Sequence, residues 1–189
     1  MAEINQFSFC SLEDVKQWLK LDSDDDDGHL ITWINTVSAD CEKFCNRQFI
    51  ARVRTENFEG DNTNVLILNH RPVSSIATIK LYDGATELEE TDYHLDGETG
   101  MIILESLVFA KTFWEIEVQY TAGYTLADIP EDLRKSIIEG VVFRYQKQDK
   151  KRVGVLRQSL AEQSTDYATN TMTDEVTDVW KYYRAGNVG

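Results

Sequence analysis

The sequence predicts an α+β fold: an α-helical bundle with an inserted small antiparallel β-sheet and a C-terminal arm. Three observations carry that prediction. Apolar residues recur at helical spacing between residues 12 and 45 and again between 133 and 145. Between those stretches, residues 48–123 break into short β-favouring runs separated by turn signals. After residue 152 the chain turns polar and weakly periodic, then ends in a short aromatic amphipathic segment.

Taken in order, Ser11-Leu-Glu-Asp14 opens a first helix, with Ser11 as N-cap and acids in the first turn to suit the helix dipole. Leu12, Val15 and Leu19 supply its apolar face. The acidic stretch that follows, Leu21-Asp-Ser-Asp-Asp-Asp-Asp-Gly28, resembles a calcium loop at first sight. Aligning Gly28 to the obligatory glycine puts Ser23 at the first ligand position and Ile34 where a bidentate Glu must stand, so an EF-hand is excluded. The acids instead cap and charge the start of a second helix over about Asp26–Phe44. Its core stripe is Leu30, Ile34, Val37, Cys41, Phe44 and Cys45, and Asn46 marks its end.

In the β region the turn signals are Gly60-Asp61-Asn62, Asp83-Gly84, Asp96-Gly97 and Gly100. The clearest alternation sets Ile116, Val118 and Tyr120 on one face against Glu115, Glu117 and Gln119 on the other, a strand with one solvated side. Gly123 ends the sheet. Asp128-Ile-Pro-Glu-Asp132 then begins a third helix, with proline near its first turn and a wide apolar stripe of Leu133, Ile137, Ile138, Val141, Val142 and Tyr145. Lys147, Lys150, Lys151 and Arg152 follow at its C-terminal end, where cations suit the dipole. This order makes the β segment an insertion in a helical body: 1–47 as the N-terminal helices, 48–123 as the inserted sheet, 124–152 as the helix completing the bundle, and 153–189 as the arm. Near the end of the arm, Thr173 caps a short helix bearing Val176, Val179, Trp180 and Tyr183. That helix is either a core staple or a partner-binding anchor.

Composition bounds the function. The chain has 189 residues, enough for one domain with a sizeable insertion and no need of a disulfide or metal staple. No apolar run approaches a membrane span, and the segment MAEINQFSFCSLEDV has neither the basic nor the apolar region of a secretory signal. Cys10, Cys41 and Cys45 read as small apolar residues of a reduced compartment, because no histidine or second cysteine pair stands at zinc spacing. Acids outnumber Lys and Arg 33 to 19, a net charge of −14 that opposes tight DNA binding and suits a surface DNA passes without sticking. His29, His70 and His94 lack a nucleophile partner motif, and no phosphate loop, nucleophile elbow or zinc helix is present. The basic cluster from Arg144 to Arg157 reads as a solvated helix end or as a contact for phosphate or an acidic partner. The sequence therefore predicts no catalytic residue, no metal site and no cofactor.

Four segments in order, "SLEDVKQWLKLDSDDDDGHLITWINTVSADCEKFCNRQF", "PVSSIATIKLYDG", "VQYTAGYTLADIPEDLRKSIIEGVVFRY" and "VWKYYR", resemble the phage head–tail connector (adaptor, head completion) family. The most specific part is the Tyr-Gly-Tyr strand exit followed by Ile-Pro-Glu-Asp-Leu. The resemblance implies a structural virion protein, assembled in the host cytoplasm, that forms a ring under the portal, commonly dodecameric, extends the DNA channel and joins head to tail. Its partners would be the portal protein, the next connector or tail component, and further copies of itself, with DNA passing through without tight binding and no membrane involved. A subunit that is monomeric when free and assembles only on the portal fits equally. Mapped onto this chain, the bundle is 9–47 with 125–152. The arm becomes a C-terminal docking arm that meets the portal through Val176, Val179, Trp180, Tyr183 and Arg184. Asp24, Asp25, Asp26 and Asp27 face either the channel or the outer rim. Two alternatives stand beside this reading: a tail-completion protein further from the portal, and a small cytoplasmic enzyme using carboxylates of the β region.

Overall fold

In a computed structural model the described residues are 3–81, 86–149, 157–160, 163–166 and 172–184, with backbone alone at 112–114, 149, 157–160 and 163–166. Among the described residues four helices and nine strands make an α+β fold: α1 (Leu12–Leu19), α2 (Asp27–Cys45), β1 (Arg52–Gly60), β2 (Val65–Ile67), β3 (Val73–Leu81), β4 (Thr86–Glu87), β5 (Tyr93–Asp96), β6 (Met101–Leu104), β7 (Thr112–Ala122), α3 (Glu131–Asp149), β8 (Arg157–Leu160), β9 (Gln163–Asp166) and α4 (Asp174–Tyr183). Contacts divide it into a helical unit, residues 1–47 with 128–189, and a β unit, residues 48–127.

The helical unit is a bundle in which α3 touches each of the other three helices. α1 begins with a full capping box: Ser11 Oγ accepts from the Asp14 amide, and the Asp14 carboxylate accepts from the Ser11 amide. α2 ends at Asn46, whose φ of 49° puts it in the left-handed region that closes a helix, as its side-chain type favours. Asp26 occupies the N-cap position of α2, but its side chain makes no cap hydrogen bond; it accepts instead from the Tyr145 hydroxyl of α3 at 3.0 Å. α3 starts just after Pro130, whose carbonyl accepts the Arg134 N–H at 3.0 Å. The buried apolar set joins Val15 of α1, Leu30, Ile34, Val37, Cys41 and Cys45 of α2, Leu133, Ile137, Ile138 and Val141 of α3, and Val176 and Trp180 of α4. Phe44 and Tyr145, expected on the core stripes, are only half-buried. Within the stretch that the sequence reads as a loose arm, β8 and β9 form an antiparallel hairpin. Lys150, Lys151 and Arg152 lie outside the described residues. No helix among the described residues is long and apolar enough to cross a membrane.

The β unit holds two antiparallel sheets, ordered β1-β7-β3-β4 and β2-β6-β5. Side chains from both share one core: Phe58, Val73, Ile79, Leu81, Ile116, Val118 and Tyr120 from the first, Leu66, Ile102 and Leu104 from the second. The predicted inward face of β7 is fully buried at Ile116, Val118 and Tyr120. The Asp83-Gly84 turn lies outside the described residues. The chain enters and leaves this unit at one point: the Tyr124 amide donates to Phe49 O at 2.7 Å, and the Ala51 amide to Tyr124 O at 2.9 Å. Gly123 makes that closure feasible. Its φ is +120°, and a Cβ there would meet Ile50 and Ala51 backbone atoms at 2.7 Å, so only glycine fits.

Candidate functional site

α4 is seated by chemistry as well as by shape. Thr173 caps it, its Oγ1 accepting from the Val176 amide, and Val176 and Trp180, one turn apart, point into the bundle with 1% and 3% of their surface exposed. The buried indole N–H of Trp180 donates to Ser136 Oγ at 3.0 Å, and that hydroxyl in turn donates to Leu133 O at 2.7 Å. Cys45 Sγ donates to Trp180 O at 3.3 Å. The Phe44 ring lies 5.8 Å from the Trp180 ring, with the Arg184 guanidinium 5.8 Å from the Phe44 centroid.

Of the five residues expected at a partner interface, Val176 and Trp180 are buried in the helical unit, where the Trp180 indole N–H is bonded to Ser136. The remaining residues separate: Val179 is half-buried, the Tyr183 hydroxyl donates to Asp132 at 2.8 Å, and Arg184 is exposed. Tyr182, which the sequence reading passed over, is 83% exposed and stands edge-on to Tyr183 at 5.2 Å. Its signal was present: in an i, i+3, i+4 stripe built on Val176, residue 182 falls on the opposite side. Beside α4, Asp40, Lys43, Phe44, Trp180 and Arg184 help line a groove of about 670 Å³. Phe44, Met172 and Trp180 give it apolar walls, and Asp40, Lys43 and Arg184 charged ones.

The acidic run is bound up with its own fold. Lys16 Nζ donates to Asp24 at 2.6 Å and to Asp27 at 3.0 Å. Those hydrogen bonds raise the Lys16 pKa, and the Lys16 hydrogen bond lowers that of Asp24. Asp26 holds Tyr145, and Asp25 accepts only a local bond from Ser23 Oγ at 2.6 Å. At the end of α3, Arg144 pairs with Asp40 at 2.8 Å, and the Lys147 ammonium lies 4.3 Å from the Phe143 ring centroid.

In the β unit one polar group converges on Glu56, which accepts from the Tyr120 hydroxyl at 2.5 Å and faces His70 Nε2 at 3.3 Å. Burial, reinforced by this bond, pushes the Tyr120 hydroxyl up. The group staples β1 to β7. Elsewhere in this unit Asp61 and Asp96 are held low by hydrogen bonds from Thr63 and Thr99 in their own turns. An exposed carboxylate held low stays ionised, the opposite of what a general acid requires. Among the described residues no group of three or more His, Cys, Asp and Glu gathers as a metal site.

A family model described as "Head completion protein" matches residues 8–185. The chain belongs to the head completion protein family. As a head completion protein it is a virion component with a structural role at the head–tail connection. It is also similar to chains in three solved particles. A chain of the neck of an empty GTA particle computed with C6 symmetry superposes with a TM-score of 0.61 at 16% identity, covering 99% of this chain and 96% of that one. A chain of the virion of a native gene transfer agent particle gives the same score and identity over 99% and 94%. A chain of the native neck computed with C12 symmetry gives 0.55, also at 16% identity, over 94% and 92%. At such identity the likeness shows a shared fold. No curated protein matches the chain.

Proposed function

We propose that this head completion protein is an adaptor that forms a ring under the portal, extends the DNA channel and offers a platform to the next connector or tail component, without turnover. The observation that carries the reading is the family match from residue 8 to residue 185, which takes in α4 and the helices beneath it. The fold shared with neck chains of particles computed with C6 and C12 symmetry supports a ring. On this reading the partner face of the C-terminal helix is its outer side, Val179, Tyr182, Tyr183 and Arg184, while Val176 and Trp180 hold the helix in place. Tyr and Arg are the residues interfaces favour as anchors, and the groove that Arg184 helps line is open to a partner.

The test is to incubate the purified protein with its portal ring and image the product by electron microscopy. A symmetric extra tier beneath the portal is the expected result. Binding only to tail-side components would move the protein further down the connector. Tyr182→Ala with Arg184→Glu should weaken portal binding at least tenfold while leaving the fold intact, since neither side chain is buried.

A further inference from the structure

Among the exposed apolar side chains of the described residues, Trp18 on the helical unit and the neighbours Leu107 and Val108 on the β unit stand out, Trp18 because it borders a groove and the pair because it crowns one loop. On the helical unit, Trp18 of α1 stands 49% exposed above Ile138 of α3. Together with Glu131, Asp132, Arg134 and Lys135 they line a groove of about 240 Å³. On the β unit, the loop between β6 and β7 displays Leu107 and Val108, 51% and 50% exposed. That loop is pinned on one side: the Phe109 amide donates to Thr63 O at 2.7 Å, the Asn62 amide to Phe109 O at 2.9 Å and the Lys111 amide to Asn62 Oδ1 at 3.0 Å. Phe109 itself is fully buried. The tip is therefore a preformed knob, and binding through it orders little chain.

The charges around the two features match. Exposed Glu105 and Lys111 flank the tip, one of each sign. The groove rim carries two acids and two bases, Glu131 and Asp132 against Arg134 and Lys135. On a chain of net charge −14, most pairs of surfaces repel when two copies approach. These two each carry both signs, with Lys135 also paired to Glu139 at 3.6 Å, and Glu105 can face the bases while Lys111 faces the acids. Two different patches that fit each other give head-to-tail contacts, the kind that close into rings.

We propose that the Leu107–Val108 tip of one copy seats in the Trp18–Ile138 groove of the next. Ring closure on the portal rests on the adaptor reading above; the contact between copies does not.

The test is cross-linking of the full chain carrying Ser106→Cys and Lys135→Cys, which leaves Trp18, Leu107, Val108 and Ile138 intact. Cys10, Cys41 and Cys45 are buried, so a short bis-maleimide reacts first at the introduced thiols. The reaction is run on concentrated free protein and on protein mixed with its portal ring. The double variant should give a ladder of covalent oligomers in at least one setting, and each single variant should stay monomeric. Adding Leu107→Asp and Val108→Asp should abolish the ladder. Monomer in both settings, dimers from a single variant, cross-links to the portal chain instead of a second copy, or a ladder that survives the Asp substitutions would each overturn the proposal. A ladder in free protein that never binds the portal would sink the adaptor reading and leave this contact standing.

Discussion

At the residue scale, Trp180 and Ser136 decide how α4 is held. A buried indole N–H needs an acceptor, and Ser136 Oγ supplies it at 3.0 Å while both side chains are out of water. Trp180→Ala should destabilise the protein by about 3–5 kcal/mol, the usual range for emptying a large aromatic site. Ser136→Ala leaves the indole unpaired and should cost about 1–3 kcal/mol. Urea unfolding of both single variants, with Trp180→Phe and the double variant, closes a cycle. Additive losses in that cycle would mean the hydrogen bond contributes nothing. A second residue contributes to the alkaline limit. Cys10 is 1% exposed, and burial, reinforced by Asp14, pushes its thiol up to about 12 from 9.0. A raised folded value means the thiol contributes stability that is fully present below pH 9 and drains away as pH climbs toward 12. The slope is about 1.4 kcal/mol per pH unit for each such group. Urea midpoints between pH 7 and 11 should be flat at first and then fall. Cys10→Ala should make the fall shallower, and an unchanged slope would exclude Cys10 as its source.

At the element scale, the helices were legible where the information is local. Ser11 and Asp14 announce the capping box of α1, and Asn46 announces the left-handed close of α2. The alternation at residues 116–120 announces the buried face of β7. What escaped is non-local. β1 pairs with β7 across most of the β unit, and β7 also pairs with β3, so strand order depends on contacts no short window contains. The β8–β9 hairpin was missed because Arg157–Leu160 and Gln163–Asp166 are polar and carry no alternation. The candidate site shows the same division. The stripe on residues 176–183 reveals an amphipathic helix, but amphipathicity alone is silent on which surface receives its apolar face. Its own bundle takes Val176 and Trp180, which leaves Tyr182 and Arg184 exposed. Removing residues 173–189 would therefore take away a core staple together with the outer face, so loss of portal binding in that truncation has two causes. Substitutions at Tyr182 and Arg184 separate them.

At the scale of the whole molecule, the adaptor reading proposed above asks the net charge of −14 to serve both assembly and the passage of DNA. Four consecutive acids, Asp24–Asp27, invite the idea of a repulsive channel lining, yet three of them have structural employment. Asp24 and Asp27 hold Lys16, and Asp26 holds Tyr145. Neutralising all four would take carboxylate partners from Lys16 and Tyr145 and blur any effect on DNA. Asp25 is different: it is exposed, and its partner is Ser23 two residues away. Asp25→Lys should leave the urea midpoint within about 0.5 kcal/mol of the wild type, the usual range for a surface change. If Asp25 faces the channel, the variant places an added cation against phosphate at every subunit of the ring. Such a contact is salt-dependent through counterion release. Ejection of DNA from particles carrying the variant should then slow at low salt and recover at high salt. Ejection that is unchanged at every salt concentration, in particles shown to contain the variant, would put this acidic run on the outer rim.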